Sequence, residues 1–297
     1  MCPRSGLQRT LHSVPKLSSV VVCANVVHGM TTIDSGNRIV RDWFVRYRTR
    51  HGFFGALRLC GADLWEFARE STPARRRARF GDIDFDCDYR VNTTAAGQSW
   101  RTRLRALLAG APYQPTEPAL FHEMVHSLQS ASQRVPDGPQ PRDAAASGMD
   151  FQFEQFTFLD IGSGKGRALL LASDYPFRKI TGIELLPEFH AEALQNIAKY
   201  RSPAQRCFAM ELLCANAREI DFASDPLVIY LFNPLPESDL RKTVARLEDS
   251  LRAHPRPVYL IYHNPLLEHV LAGSQLLRKI GGTHQYAIYK FDTRLEA

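Results

Sequence analysis

Cysteine is scarce in this chain. Six of its 297 residues are cysteine (Cys2, Cys23, Cys60, Cys87, Cys207 and Cys214), and none stands in a Cys-x-x-Cys pair. A disulfide scaffold and a thiolate zinc cluster are thereby disfavoured, and the reducing cytoplasm is the expected compartment. Lysine is scarcer than arginine, 7 against 30, a bias that reads as genome composition. No continuous apolar run reaches the roughly 18 residues that would suggest a membrane-spanning helix. The apolar stretch between Leu17 and Val27 is too broken for a signal peptide, and Met30 is an alternative start. What is present fits a globular protein with a sizeable core: 44% hydrophobic and 23% charged residues.

Charge is unevenly placed. Residues 1–110 carry 18 basic and 9 acidic side chains, whereas residues 111–297 carry 19 and 22. The basic half could attract an acidic protein or RNA.

Three stretches follow one another along the chain. Residues 1–37 mix Pro, Ser, Gly and Arg and read as a loose extension. Residues 38–149 form a mainly helical region. It includes Leu64–Arg69, a basic patch at Ala74–Arg79, a short helix ending near Ala109 and a helix over about Pro118–Gln129. Ser130–Met149, rich in Pro, Gly, Ser and Ala, is its linker. From residue 150 onward, apolar strands alternate with helices. Strands are expected at Phe153–Asp160, Ile180–Glu184, Cys207–Leu212, Leu227–Phe232, Pro257–Tyr262, Leu277–Ile280 and Gln285–Phe291. Helices are expected at Arg167–Ser173, Pro187–Tyr200, Glu237–Ala253 and Leu266–Ala272. That alternation predicts an α/β fold, a mostly parallel sheet with helices on both faces.

The densest motif is Phe156-Thr-Phe-Leu-Asp-Ile-Gly-Ser-Gly-Lys-Gly-Arg167. A strand runs directly into glycines at 162, 164 and 166, which let the backbone turn and approach a ligand. A triphosphate loop would need a hydroxyl after Lys165, where Gly166 stands. A dinucleotide loop would need glycine at Arg167. S-adenosylmethionine has no phosphate, and a carboxylate at the strand end, Asp160, can pair with its ammonium. The second strand ends in Gly182-Ile-Glu184, and Glu184 stands 20 residues after Gly164. An acid there can accept ribose hydroxyls, in a dinucleotide or in S-adenosylmethionine.

With these motifs the chain resembles the class I S-adenosylmethionine-dependent methyltransferases. Asp160-Ile-Gly-Ser-Gly-Lys-Gly166 is similar to their first motif and Gly182-Ile-Glu184 to their second. The resemblance implies a Rossmann-like seven-stranded sheet of order 3-2-1-4-5-7-6 with the last strand antiparallel. It implies S-adenosylmethionine as cofactor, with Asp160, Gly162, Ser163, Gly164 and Gly166 around its methionine end and Glu184 on its ribose. Asn216, in Ala215-Asn216-Ala217, stands where the family has an acid at the adenine, and offers it an uncharged oxygen.

Ahead of the sheet the chain also resembles a bacterial subgroup of that superfamily. Its pattern Phe-Asp-x-x-Tyr-Gly-Val-Asp-Thr is matched by Phe85-Asp-Cys-Asp-Tyr-Arg-Val-Asn-Thr93, with Arg90 for the glycine and Asn92 for the acid. A second pattern is matched by Gly110-Ala-Pro-Tyr-Gln-Pro-Thr116. A related loop in histone-lysine methyltransferases closes over the cofactor, which implies a flap at 110–118 with Tyr113 and Thr116 at the site.

After the fourth strand, Asn233-Pro234-Leu235-Pro236 is similar to the Asn/Asp-Pro-Pro-aromatic motif of methyltransferases that modify amino nitrogens. Leu235 replaces the second proline. Asn233 and Pro234 are thereby implied to orient the acceptor, with Tyr113 as a further catalytic candidate. The implied acceptor is an amine of a protein or small molecule. No metal is called for, because the cofactor is already an activated donor. A dinucleotide-dependent oxidoreductase, or a non-catalytic protein- or nucleic-acid-binding module on the same fold, are the rival readings.

Two metal-like patterns carry less weight. His122-Glu-Met-Val-His126 spells a zinc-protease motif but lacks a downstream third ligand. Asp82, Asp84, Asp86 and Asp88 alternate, yet the glycine and glutamate of a calcium loop are missing. Cys207 and Cys214 are expected to be buried.

Overall fold

The computed structural model describes residues 83–94, 113–134 and 151–291 apart from 223, with a few isolated positions between 48 and 104. The extension 1–37, the helices expected over 38–70 and before Gly110, the basic patch at 74–79 and positions 135–149 of the linker lie outside the described residues.

Helix α1 spans Ile83–Tyr89 and helix α2 spans Pro118–Arg134. The sheet region then runs β1 (Thr157–Ile161), α3 (Arg167–Ala172), β2 (Lys179–Glu184), α4 (Pro187–Lys199), β3 (Met210–Cys214) and β4 (Leu227–Leu231). It continues with α5 (Glu237–Ala253), β5 (Val258–His263), α6 (Glu268–Ala272), β6 (Leu277–Gly282) and β7 (Tyr286–Phe291). The seven strands are ordered β3-β2-β1-β4-β5-β7-β6. β1, β2, β3, β4 and β5 are parallel to one another, and β7 runs antiparallel to both β5 and β6. This Rossmann-like order is the one the resemblance implies.

Strands β1 and β4 sit in the middle, and every residue of both is buried. Alternate side chains feed opposite cores, as the two-residue period of a strand requires. Phe158, Val228, Tyr230 and Ile261 face one core with Phe121, Met124 and Leu128 of α2. Leu159, Ile161, Ile229 and Leu231 face the other with Leu240, Val244 and Leu247 of α5. Each such fully buried side chain contributes about 1.5–3 kcal/mol. α2 is therefore part of the same core as the sheet, although it precedes the stretch expected as linker.

Several boundaries differ from the sequence expectations. α2 continues through Arg134, so the first five residues of the expected linker are helical. Phe153–Gln155 is a 3-10 turn, and β1 begins only at Thr157. The third strand lies at Met210–Cys214, three residues later than expected at its start. It is the edge strand of the sheet and pairs only with β2. Its outer end is open, so Cys214 is exposed where burial was expected, whereas Cys207 is buried.

Candidate active site

Five residues connect β1 to α3, and their amides are used within the protein. The N–H groups of Gly162 and Ser163 both donate to Ile183 O, at 2.8 and 2.9 Å. Gly164 N–H donates to Glu184 Oε2 at 2.8 Å, and Gly166 N–H to Ser163 O at 2.8 Å. Gly162 and Gly164 have φ of +83° and +54°, in the left-handed region. A Cβ on Gly162 would lie 2.3 Å from Pro234 Cβ, and one on Gly164 would lie 2.4 Å from the Tyr113 ring. Both positions thus need glycine for conformation and for contact.

Gly166 plays a different part. It caps α3 at φ +86°, and its added Cβ would press on Ala193 of α4 at 3.2 Å. It is absent from the walls of the adjacent cavity. The sequence placed it at the ligand, and the structure makes it a turn and packing residue.

A cavity of about 400 Å³ opens past the carboxyl ends of β1, β2 and β4. Asp160, Gly162, Ser163, Gly164, Glu184, Asn216, Tyr113, Thr116 and Pro234 all line it, so eight cofactor or flap residues and one acceptor residue expected from sequence converge there. Asp160 is 3% exposed, and no donor among the described residues bonds its carboxylate. Burial, and then the neighbouring Glu184, push its pKa well above the usual carboxylate range. Burial also raises Glu184, against the backbone N–H donors of Leu186 and Gly164. Leu186 N–H reaches Glu184 Oε1 at 2.8 Å. Glu184 therefore caps the entry to α4 and faces the cavity as well. The buried Ser163 hydroxyl has no partner.

The flap is held from the N-terminal side. Tyr113 packs against Phe189 with the rings tilted by 49° and their centroids 5.0 Å apart, and its hydroxyl donates to Thr93 O. Burial raises its pKa, so the phenol stays neutral and its hydroxyl is turned to a carbonyl. It acts as a wall over Gly164 and is unsuited to the base role that catalysis would ask of it. Thr116 Oγ1 lies 2.9 Å from Tyr230 Oη, and Tyr230 Oη lies 2.8 Å from His263 Nδ1. Burial lowers the His263 pKa to about 4, so its ring is neutral near pH 7.

Two of the expected site residues make bonds within the protein. Asn216 Oδ1, meant for the adenine edge, accepts Arg218 N–H at 3.1 Å and Arg218 Nε at 3.3 Å. Asparagine at a helical N-cap commonly takes this bond. Its amide nitrogen, a donor, is the group left for a ligand. Asn233 is absent from the cavity walls. Its Oδ1 accepts the Tyr262 hydroxyl at 2.9 Å and its Nδ2 donates to Asn264 O at 2.5 Å. With φ at +46°, Asn233 turns the chain and ties the β4 end to the β5 end, where Asn264 has φ +48°. Its side-chain oxygen and nitrogen have each taken one such bond. Pro234 keeps its place on the wall, against Gly162.

Other motifs resolve into tertiary contacts. His122 Nδ1 lies 2.8 Å from the Tyr175 hydroxyl, and Glu123 accepts the Tyr286 hydroxyl at 3.0 Å. Asp86, from the alternating acidic run, accepts Thr93 N–H at 2.8 Å, Thr94 N–H at 2.9 Å and Arg167 Nη2 at 3.3 Å. Among the described residues no group of His, Cys, Asp and Glu is arranged to hold a metal ion. No helix there is long and apolar enough to cross a membrane.

The sequence singled out neither Arg167 nor the hydrogen bond between Tyr230 and His263. Arg167 lines the cavity at 2% exposure. A basic residue closing a glycine turn at a helix start was the available signal. For His263, 33 residues from Tyr230, no local signal existed.

No protein-family profile matches this chain, and no curated protein matches it. Solved structures do. An RNA methyltransferase from Salinibacter ruber, in complex with S-adenosyl-L-homocysteine, is 17% identical over 60% of this chain and 92% of that one, with a TM-score of 0.37. Magnesium protoporphyrin IX methyltransferase from Synechocystis, with bound S-adenosylmethionine, is 11% identical over 74% and 97%, with a TM-score of 0.37. A ribosomal protein methylase from Lactobacillus delbrueckii is 14% identical over 58% and 78%, with a TM-score of 0.35. At such identities and TM-scores these likenesses decide neither ligand nor reaction. The strand order and the single antiparallel strand give this chain a Rossmann-like, seven-stranded α/β fold.

Proposed function

We propose that this chain is an S-adenosylmethionine-dependent methyltransferase. One observation carries the reading: Asp160 is a buried carboxylate without a donor among the described residues, on a cavity wall beside a five-residue loop of which four amides are already bonded. Burying a charge without a partner costs several kcal/mol, so such a group suits a cationic ligand. Loops that cradle phosphate keep their N–H groups free for it. Here four of them are occupied. A pyrophosphate would also face Asp160 and Glu184 together, which weighs against the dinucleotide oxidoreductase. S-adenosylmethionine brings an ammonium and a sulfonium and has no phosphate.

The residues present fit that molecule. Asp160 suits the ammonium, and the Arg167 guanidinium and Thr116 hydroxyl on the same cavity suit the carboxylate. Each Glu184 oxygen has taken one N–H and retains capacity for a ribose hydroxyl. The Asn216 amide nitrogen suits a ring nitrogen of the adenine.

When bound, the cofactor supplies an activated methyl group, so the protein's task is position, desolvation and release of one proton. Pro234, Leu235 and Phe232 form an apolar wall past Tyr230. Such a wall excludes water and favours an uncharged nucleophile. We therefore infer an amine nitrogen, of a protein or a small molecule, as the acceptor. Support for it comes from this wall and from the Asn-Pro turn that builds it, and no longer from the Asn233 amide.

Calorimetry on the full chain tests the cofactor. S-adenosylmethionine and S-adenosylhomocysteine should bind saturably at one site, and Asp160→Asn should weaken the former by at least about tenfold, or 1.4 kcal/mol. Saturable NADH binding without either would overturn the reading. A labelled-methyl transfer screen of protein, RNA and metabolite fractions then identifies the acceptor.

A further inference from the structure

We infer that Asp86, which lies outside the cavity, is a positioning residue for recognition of the ligand's amino-acid end, acting through Arg167. This rests on the methyltransferase reading above.

Arg167 opens α3, where the helix dipole disfavours a cation, and it is almost fully buried. Something must hold such a guanidinium in place. Its Nε donates to Thr93 Oγ1 at 2.6 Å, its Nη2 to Asp86 Oδ1 at 3.3 Å and its Nη1 reaches Thr116 O at 3.5 Å. The Phe85 ring lies 5.1 Å from its Cζ. Asp86 is the hub of this cluster. Besides Arg167, it accepts the Thr93 hydroxyl and the N–H groups of Thr93 and Thr94. None of these bonds is with a residue near Arg167 in sequence: Asp86 is 81 positions away.

The arrangement sorts charge. Asp160 and Glu184 line the cavity as acids, and Arg167 lines it as a base. A zwitterionic amino-acid group needs both signs, held apart. Asp86 keeps the guanidinium drawn toward the N-terminal segment, away from the two acids. Without Asp86, Arg167 can turn to Asp160, which has no donor among the described residues, and take the place of the ligand's ammonium. The loss would fall on both ends of the zwitterion and leave the nucleoside end alone.

A further contact couples the same segment to the glycine loop. Lys165 Nζ pairs with Glu192 at 3.1 Å and with Asn92 Oδ1 at 3.2 Å, while Asn196 bonds both the Asn92 and Lys165 carbonyls at 2.9 Å. These bonds secure the segment without Asp86, so a change at Asp86 should act on Arg167 more than on docking.

Two ligands separate the possibilities. S-adenosylhomocysteine carries the amino acid, and 5′-methylthioadenosine carries the nucleoside without it. In calorimetry on the full chain, Asp86→Asn should weaken S-adenosylhomocysteine by about tenfold or more and 5′-methylthioadenosine by less than about twofold, tenfold being 1.4 kcal/mol. Thr93→Val, which removes one acceptor from Arg167 and keeps the side-chain shape, should show the same selectivity, and it decides the matter if the aspartate variant does not fold. Equal weakening of both ligands would mean that Asp86 only holds the fold, and unchanged affinity for both would mean that Arg167 needs no partner; either overturns the proposal. If the wild-type chain binds neither ligand, the cofactor reading falls first, and this proposal with it.

Discussion

Glu184 Oε2 accepts the Gly164 N–H at 2.8 Å, joining the end of β2 to the glycine turn after β1. The bond places a buried acid beside the turn and removes from the turn an amide that an anion would need. Replacing Glu184 by Gln would set an amide NH₂ against the N–H of Gly164 or Leu186, leaving one buried donor unsatisfied. Such a loss costs about 1–3 kcal/mol. Glu184→Gln should lower thermal stability by that amount and weaken S-adenosylhomocysteine by at least about tenfold. Unchanged affinity would separate Glu184 from the ligand.

Asp160→Asn should do the opposite to stability. Burial and Glu184 raise the Asp160 pKa, so the folded state holds its proton more tightly than the unfolded chain. The ligand-free protein therefore loses stability as pH rises through the raised value. An asparagine removes that cost, and stability at pH 7 should rise by about 1 kcal/mol, as stabilising changes at functional sites commonly do. Urea unfolding across a pH series reads this directly. The gain should shrink as pH falls and vanish below about pH 3, where the wild-type group is protonated in both states.

Arg90 has φ +56° just after α1, where the resembling subgroup has glycine. A side chain in the left-handed region costs about 1–2 kcal/mol. Arg90→Gly relieves it and adds some unfolded-chain freedom, so a net gain of about 0.5–1 kcal/mol is expected. Differential scanning calorimetry should show a higher melting temperature. A lower one would mean that the arginine side chain itself is needed.

Asn233→Ala should damage the fold more than the cofactor site. The substitution removes the bonds to Tyr262 and Asn264 and puts alanine at a positive φ. A stability loss of about 1–3 kcal/mol follows from the lost bonds and the strain. S-adenosylhomocysteine affinity should stay within about twofold of wild type, less than 0.6 kcal/mol. Tyr262→Phe should reproduce part of the stability loss. An affinity loss of tenfold or more in Asn233→Ala with unchanged stability would return this residue to the site.

His263 gives a pH signature of the opposite sign to Asp160. Burial lowers its folded pKa to about 4, below the ordinary histidine value of about 6.5. The unfolded chain binds the proton more readily, so this residue makes stability fall as pH drops from about 6.5 toward 4. The loss at the acid end is on the order of 3 kcal/mol. His263→Asn keeps an acceptor near Nδ1 for the Tyr230 hydroxyl and removes the titration. The difference in unfolding free energy between the two proteins should shrink or reverse on acidification, and a pH-independent difference would show that His263 does not titrate in this range.

Local spacing made much of the fold legible. The apolar runs at 180–184, 227–231 and 286–291 are strands because their alternate or continuous burial is written in a few consecutive residues. Helix Glu237–Ala253 has the bounds that its sequence pattern predicts. Boundaries slipped where burial was partial. At the edge strand, Cys207 is buried but makes no ladder, so apolar character alone misplaces β3. That Asp160, Gly164 and Glu184 share one cavity was legible because strand ends and a glycine turn bring them together, Gly164 and Glu184 being only 20 positions apart.

By itself the sequence determined the strand alternation, the glycine turn and the two acids at its mouth, since these follow from backbone sterics and short spacing. Tertiary structure alone decided that Asn233 bonds Tyr262, that Gly166 packs on Ala193, and that Asp86 bonds Arg167. Each of those outcomes depends on which distant side chain reaches a polar group or a gap first. A linear pattern records the residues that can make such a bond, and only the folded packing chooses among them.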